Sequence, residues 1–197
     1  MDRLGRGRRP RVDVDALVDS LARAVNASDP FTRRHSETVA ELCAAMGREL
    51  GLDEARVEEL RVAGLLHDVG TIEIPASILA KPGALTAEEL EVMRTHPALG
   101  RIIVNALGME RQAEWILHHH ERIDGYGYPE GLRGAEIPLE SRIIFVADAF
   151  EAMTASQSHR RGETDPEAIA RLKRHAGTQF DPDCVEALER GLAGLAR

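Results

Sequence analysis

Several histidine and aspartate residues stand at positions where a helix would turn them toward the protein interior. The apolar stripe of one predicted helix extends back by one turn to His35. The stripe of a second predicted helix extends forward to His67 and Asp68, and Asp148 follows an apolar run with the same inward orientation. The sequence therefore predicts imidazole and carboxylate side chains on buried helix faces.

A group of inward imidazoles and carboxylates favours a shared metal ion, because a buried carboxylate without a partner is costly. Adjacent residues diverge by about 100° around a helix, so both members of a pair cannot normally contact one ion. We expect His67-Asp68 and His119-His120 to contact two neighbouring ions instead, with the carboxylate bridging them. Such mixed ligands suit iron, manganese or zinc. A lone helical histidine usually only packs, so the metal hypothesis depends on combining these pairs with His96 and the inward aspartates.

The composition is that of an ordinary folded protein with an acidic body. The 197 residues are 43% hydrophobic and 29% charged, which argues against a disordered or fibrous chain. The net charge is −8, but residues 1–11 carry +4 and residues 12–197 carry −12. An acidic body matches the phosphate backbone of nucleic acid poorly, so no nucleic-acid partner is predicted. The Arg- and Gly-rich residues 1–12 are predicted to be a disordered tail, with a binding arm as the alternative.

The sequence predicts neither secretion nor insertion into a membrane. Its apolar runs are too short to span a bilayer, and no charged-then-apolar leader opens the chain. Cys43 and Cys184 cannot form a disulfide framework and lack the spacing of a zinc cluster. We therefore expect a cytoplasmic protein with no membrane partner.

Helical periodicity dominates the chain, and no segment alternates in the manner of a strand. A stripe over residues 14–25 predicts a first helix, and a stripe over residues 39–50 predicts a second that stops at Gly51. Asp53 can cap a third helix that ends near Gly70. These signals predict an all-α fold.

The rest of the chain contains further helix signals around one long loop. Residues 121–137 are rich in glycine, and loops of this length in a compact domain are usually functional or disordered. We predict a single helical domain over residues 13–197. Thr86 and Glu89 start one further helix, which Pro97 interrupts or restarts. Two more helices are predicted over residues 110–120 and 138–156. The last two begin at Asp165-Pro166 and at Asp181-Pro182.

Two motifs in this sequence resemble those of a known family. Residues 65–70, Leu-Leu-His-Asp-Val-Gly, resemble the HD phosphohydrolase motif. Residues 119–129, His-His-Glu-Arg-Ile-Asp-Gly-Tyr-Gly-Tyr-Pro, resemble the extended motif of the HD-GYP subfamily, whose typical activity is hydrolysis of cyclic di-GMP. The resemblance continues in register over about residues 30–190, which makes it specific. It implies an HD-domain helical bundle with a long glycine-rich GYP loop.

The resemblance also implies a centre of two divalent metal ions, iron or manganese. A hydroxide between the ions would attack phosphorus in line with the departing ribose oxygen. His118 is interpreted as a supporting or packing residue, and Phe31 stands where some members have a Glu for a third ion. One ion would be held by His35, His67, Asp68 and Asp148, and the other by His96, His119, His120 and Asp68, the bridging catalytic carboxylate.

The glycine-rich loop of residues 121–137 is called the GYP loop. Its glycines are expected to supply positive-φ turns and to let the backbone come close to a substrate or partner. Tyr128 and Pro129 have two interpretations, recognition of a partner signalling protein or packing within the loop. The motif residues of the GYP loop are Asp124, Gly125, Gly127, Tyr128 and Pro129.

Two substitutions depart from the family pattern. Thr71 stands where active members usually have a Lys that contacts the scissile phosphate, so the hydroxyl donor remains but the charge is lost. Gln157 replaces the first Arg of a phosphate-binding segment in which Arg160 remains. Each lost charge-assisted contact costs about 1.5–3 kcal/mol, or roughly ten- to a hundredfold in binding.

Three functional hypotheses follow from complete metal ligands and reduced phosphate contacts. The first is a phosphodiesterase that hydrolyses cyclic di-GMP or a related cyclic dinucleotide. The second is a regulatory module that binds metals and a nucleotide or partner protein but turns over poorly. The third is an HD phosphohydrolase of another phosphate ester. The complete ligand set favours hydrolysis.

Overall fold

The computed structural model describes residues 30–156 and 161–195, and no strand occurs among them. The all-α prediction is therefore confirmed. Two 3-10 turns, Val69–Glu73 and Gly134–Glu136, interrupt the helical succession. The α-helices of the described residues are α1 (Pro30–Glu49), α2 (Glu54–Leu66), α3 (Ala76–Leu79), α4 (Ala87–Met93), α5 (His96–Ala106), α6 (Glu110–Leu117), α7 (Leu139–Thr154), α8 (Asp165–Arg174) and α9 (Pro182–Leu195).

The core lies where α1 packs against α2, α7 and α9. Burial of one large apolar side chain contributes about 1.5–3 kcal/mol, so this core fixes the positions of the surrounding helix ends. Helix α5 packs on α6 and on the 3-10 turn that follows α2. The core includes the fully buried Met46, Leu60, Ile116, Ile144 and Leu188, one from each of α1, α2, α6, α7 and α9.

Three of the predicted helix boundaries are confirmed by their local chemistry. Helix α1 ends before Gly51, which adopts a φ of +77°. The side chain of Asp53 accepts a hydrogen bond from the backbone N–H of Arg56 and so caps α2. Thr86 and Glu89 form the predicted capping box at the start of α4. Since each cap satisfies backbone donors locally, the sequence alone was sufficient to find it.

Other boundaries were predicted wrongly. Helix α2 ends at Leu66 rather than near Gly70, because the chain tightens there into the 3-10 turn. Helix α6 ends at Leu117, so residues 118–120 lie in a turn. The N-cap of α8 is Thr164, which forms a capping box with Glu167, and not Asp165.

Some predictions concern parts of the chain outside the described residues. These are the basic tail of residues 1–12, the apolar stripe of residues 14–25, and the substituted segment with Gln157 and Arg160. The side chain of Phe31 is likewise outside the described part. Within residues 30–156 and 161–195, no helix combines the length and apolar character needed to cross a membrane.

Candidate metal centre

Five histidines and two aspartates meet where several helix ends converge on α1 and α7. His35 projects from α1, His67 caps the end of α2, and Asp68 follows it directly. His96 is the first residue of α5, and Asp148 lies in α7. The turn after α6 contributes His119 and His120. All seven sequence-predicted ligand residues are thus brought to one region.

A first group of ligand atoms forms around His35 and His67. Their Nε2 atoms are 3.4 Å apart. Asp148 Oδ1 lies 3.4 Å from Nε2 of His35 and 4.0 Å from Nε2 of His67. Asp68 Oδ2 lies 3.4 Å from Nε2 of His67 and 4.0 Å from that of His35. Together these residues offer two imidazole nitrogens and two carboxylates to one ion.

A second group forms around His96, His119 and His120, which could jointly hold a metal ion. The Nε2 atoms of His96 and His119 are 3.4 Å apart, and the ring centroids of His119 and His120 are 4.0 Å apart. Asp68 Oδ1 lies 3.4 Å from Nε2 of His96. One carboxylate therefore faces the first group with Oδ2 and the second with Oδ1, as a bridging ligand would.

The structure groups His119 with His120, as the family resemblance implies, rather than directing them to two different ions as helix geometry alone suggests. Both belong to the second group. The 100° divergence of neighbours applies only inside a helix. Because α6 ends at Leu117, the turn that follows can direct both rings to one side.

Three of the imidazoles are oriented by the same backbone hydrogen bond. Nδ1–H of His67, His96 and His119 donates to the carbonyl oxygen three residues earlier, at 2.7, 2.8 and 2.6 Å respectively. A carbonyl can only accept, so the proton of each neutral ring is on Nδ1 and the lone pair is on Nε2. These three lone pairs face the ligand groups, and a cation is the partner that fits them.

His35 is oriented by a carboxylate instead. Its Nδ1 is hydrogen-bonded to Glu151 of α7, whose side chain is only 8% exposed. Burial lowers the pKa of His35, but the hydrogen bond to Glu151 and the nearby aspartates raise it to about 9. Without a metal ion, His35 is therefore a buried cation among carboxylates. Sequence reasoning missed Glu151, although its place one turn after Asp148 was a usable signal.

The charge states of the remaining groups suit metal binding. Burial and the neighbouring imidazoles lower the pKa of His119 and His120 well below the usual range, so both rings are neutral. Burial raises the pKa of Asp68, but the surrounding histidines lower it to about 2. Asp148 differs, because burial and the nearby Asp68 raise its pKa while His67 only partly opposes them. Neutral imidazoles and an ionised bridging carboxylate are the forms that bind divalent ions.

His118 is directed away from both ligand groups. It is buried, and its Nε2 lies 3.3 Å from Glu130 of the GYP loop. Its Nδ1 lies 3.6 Å from Glu114 of α6. This position agrees with the interpretation of His118 as a supporting residue.

The GYP loop packs against the second group through an aromatic ring. Tyr128 stacks on His120 with ring centroids 4.9 Å apart and an interplanar angle of 28°, and the guanidinium of Arg94 lies 5.5 Å from the Tyr128 centroid. The backbone at Gly127 passes so close to Arg122 that a Cβ there would lie 2.3 Å from its nitrogen. Tyr128 therefore packs within the protein. Recognition of a partner protein by this residue stays a prediction.

The GYP loop is also held by a buried acid that sequence reasoning missed. Oε1 of Glu121 accepts hydrogen bonds from the backbone N–H groups of Glu130 and Gly131, at 2.7 and 2.9 Å. Arg122 and Asp124 form an ion pair, and Gly125 adopts a φ of +79°, as predicted for a turn. Glu121 directly follows the histidine pair, which was the available signal.

The hydroxyl group of Thr71 is hydrogen-bonded within the protein. The hydroxyl donates to the backbone carbonyl of Asp68 at 2.7 Å, inside the 3-10 turn. Thr71 therefore replaces the lysine only in part, because its hydroxyl proton is already donated to the carbonyl oxygen of Asp68.

The chain is similar to known proteins over most of its length. The family model described as "HD domain" matches residues 19–184. The "Cyclic di-GMP phosphodiesterase response regulator RpfG" of Xanthomonas campestris pv. campestris is 42% identical over 90% of this chain and 48% of its own length. The "3'3'-cGAMP-specific phosphodiesterase 1" of Vibrio cholerae is 40% identical over 83% of this chain and 38% of its own length. The chain thus spans about half or less of these curated relatives.

A solved structure supports the fold. Bd1817, described as an HDG"Y"P protein from Bdellovibrio bacteriovorus, superposes with a TM-score of 0.68 over 92% of this chain and 64% of its own. The two sequences are 22% identical, so this likeness concerns the architecture alone.

Proposed function

Because this chain belongs to the HD domain family and is of its HD-GYP type, we propose that it is a metal-dependent phosphodiesterase that hydrolyses a cyclic dinucleotide. Cyclic di-GMP is the first candidate substrate and 3'3'-cGAMP the second, since relatives named for each are about equally similar to it. The protein is expected to act in the cytoplasm and to bind no nucleic acid polymer.

The observation that carries this proposal is the pair of ligand groups joined by Asp68. His35, His67 and Asp148 would hold one ion with it, and three histidines would hold the other. Iron or manganese fits imidazole and carboxylate ligands in such a mixture. When bound, the two ions supply an activated nucleophile and offset the negative charge of the phosphate.

The protein's own residues have two tasks in this reaction. Asp68 would be a ligand shared by both ions, because each of its oxygens faces a different group. The backbone hydrogen bonds of His67, His96 and His119 keep their Nε2 lone pairs directed into the two ligand groups, so little reorganisation would be needed when metal binds. Arg160 is proposed to contact the second phosphate, and a signalling partner at the GYP loop stays a prediction.

A hydrolysis assay with purified protein tests the proposal. The chain would be loaded with Mn²⁺ or with Fe²⁺ under anaerobic conditions and supplied with cyclic di-GMP, 3'3'-cGAMP and a panel of simple phosphate esters. We expect linear or fully cleaved dinucleotide products from at least one cyclic dinucleotide. Cleavage of simple esters alone would contradict the substrate class, and retention of metal without any turnover would contradict the enzymatic function.

A regulatory module with weak turnover is the second candidate. The observation that favours it is Thr71, whose hydroxyl proton is taken by the carbonyl of Asp68 and which brings no charge to the phosphate. Such a module would bind a cyclic dinucleotide in the presence of metal but would hydrolyse it slowly. Binding of cyclic di-GMP measured by calorimetry, beside the rate of hydrolysis, separates the two functions.

A further inference from the structure

The two candidate metal positions differ in the negative charge that surrounds them. We propose that they bind divalent ions with unequal affinity, and that the position at His35 and His67 fills first. This inference rests on the proposed metal centre and adds an order of loading and a residue that sets it, Glu151. The two positions are called the His35 position and the His96 position, after the residues His35, His67, Asp68 and Asp148 and the residues His96, His119, His120 and Asp68.

The His35 position is rich in carboxylates. Asp148 belongs to this position alone, with Oδ1 3.4 Å from Nε2 of His35. Glu151 adds a third carboxylate behind the ring, because it is hydrogen-bonded to Nδ1 of His35. With the shared Asp68, three acidic side chains lie around this ion.

In the described part of the chain, the His96 position has one carboxylate, the shared Asp68. Its histidines are neutral ligands, and two of them, His96 and His119, direct Nδ1–H to backbone carbonyls rather than to acids. The third, His120, has its ring stacked on Tyr128. Among residues 30–156 and 161–195, Asp68 is the one acid that faces this position, and it is shared with the His35 position.

Charge and donor strength both favour the His35 position. Attraction between an ion and a carboxylate is strong in a poorly solvated site, so each extra carboxylate raises affinity. A carboxylate that accepts the Nδ1 proton also makes the imidazole a stronger donor than a backbone carbonyl does, and loss of such a partner typically weakens metal binding by about 10- to 100-fold. The His96 position is therefore the one that loses its ion first when free metal falls. An enzyme that needs both ions would then respond to metal supply through the His96 position.

Titration of the metal-free full chain with Mn²⁺ tests this order. Calorimetry, combined with elemental analysis after equilibration at stepped concentrations of free Mn²⁺, gives the number of ions and the affinity of each. We expect two separate steps in the unmodified protein. The variant Glu151→Gln keeps a hydrogen-bond acceptor for His35 but removes the charge. It should lower the Mn²⁺ affinity of the tighter binding step about 10- to 100-fold and leave the affinity of the weaker step unchanged.

Two further variants keep the test decisive. Glu140→Gln is the matched control, because Glu140 is also a buried acid on α7 but pairs with Arg56 rather than with a histidine of the centre. It should leave both steps unchanged. If Glu151→Gln fails to fold by circular dichroism, Asp148→Asn serves instead and should also weaken the tighter step alone.

The outcomes separate this inference from the proposed function. The order of loading would be overturned if both ions bound with the same affinity. It would also be overturned if Glu151→Gln lowered the affinity of neither binding step, or of both steps equally. Either result would leave the metal centre itself intact. Absence of Mn²⁺ and Fe²⁺ binding in the unmodified protein would overturn the metal centre itself, and the inference with it.

Discussion

Asp68 is the residue of the centre that faces both ligand groups. Its two oxygens face different ligand groups, and its side chain is still 27% exposed, so solvent reaches it. The surrounding imidazoles hold its pKa at about 2 against the opposing effect of burial. It is therefore ionised at any pH at which the protein would work.

Replacement of Asp68 by alanine is expected to empty both metal positions. About two ions per chain should be found in the unmodified protein and fewer than one in Asp68→Ala, because each group loses its shared anionic ligand. Turnover should disappear with them. The measurement is elemental analysis of dialysed protein beside the hydrolysis assay. Glu73→Ala, at an exposed position of the adjacent 3-10 turn, is the control, and full metal content in Asp68→Ala would contradict the bridging assignment.

Introduction of lysine at position 71 is expected to raise kcat/KM for a cyclic dinucleotide by about tenfold or more. A charge-assisted contact to phosphate contributes about 1.5–3 kcal/mol, while the lost hydroxyl bond to Asp68 costs only about 1 kcal/mol of stability. Steady-state kinetics of Thr71→Lys measure the effect. Thr71→Met has a similar length without the charge and should show no gain. An unchanged rate in Thr71→Lys would mean that the missing charge does not limit turnover.

At the scale of elements, the centre depends on how closely a 3-10 turn approaches the start of α5. Gly70 lies against this helix, and a Cβ at that position would lie 2.0 Å from the carbonyl oxygen of His96. The turn carries Asp68 at its start and the helix carries His96. Their close packing is therefore what brings the bridging carboxylate to the second group.

The variant Gly70→Ala should be destabilised by about 1–3 kcal/mol, as expected for overpacking against backbone. It should also bind less metal, since the turn and α5 must separate. Thermal unfolding and elemental analysis measure the two effects. Gly194→Ala is the control, because its Cβ would meet nothing within 4 Å in α9, and stability there should be unchanged or slightly higher. Normal stability and metal content in Gly70→Ala would show that the close approach is not needed.

The GYP loop is the second element that supports the centre, through the ring of Tyr128. Removal of the ring in Tyr128→Ala should lower the metal affinity of the His96 position about two- to tenfold, since a stacked aromatic pair contributes about 0.5–1.5 kcal/mol. Tyr128→Phe keeps the ring and should bind metal normally. Titration with Mn²⁺ measures both. Equal metal binding in all three proteins would leave the stacking without a role in this position.

At the scale of the whole molecule, metal binding and folding stability are linked. The seven predicted ligands come from helices α1 and α7, from the segments that follow α2 and α6, and from the start of α5. Only the packed core brings these elements together. An ion that binds the folded chain alone therefore stabilises the whole fold. The acidic chain, with a net charge of −8, gains further from added positive charge.

Addition of Mn²⁺ to the metal-free protein is expected to raise Tm by roughly 5–10 °C for each position that is filled at a concentration a hundredfold above its Kd. Each occupied position contributes about 2.7 kcal/mol under that condition, and 1 kcal/mol corresponds to about 2–4 °C for a chain of this size. Differential scanning fluorimetry with and without EDTA measures the shift. Asp68→Ala should show no shift. An equal shift in both proteins would place the stabilising ion elsewhere.

The parts of the fold that the sequence could predict are those with local causes. The caps at Asp53 and at Thr86, and the stop of α1 before Gly51, each depend on residues within a few positions of one another. The ends of α2 and α6 were predicted too late, because periodicity continues past the point where tertiary packing turns the chain. Those two ends carry His67 and the His119-His120 pair.

The sequence by itself determined the helical class, selected the seven residues that the structure brings together, and identified the unusual residues at positions 71 and 157. These follow from residue types, short spacings and motif resemblance. Only the tertiary structure decided which oxygen of Asp68 faces which group, how the rings of His119 and His120 are turned after α6 ends, and that Glu151 lies behind His35. Such relations join residues that are up to 116 positions apart in the chain, and only the packing of α1, α2, α5, α6 and α7 around one core brings them within hydrogen-bonding distance.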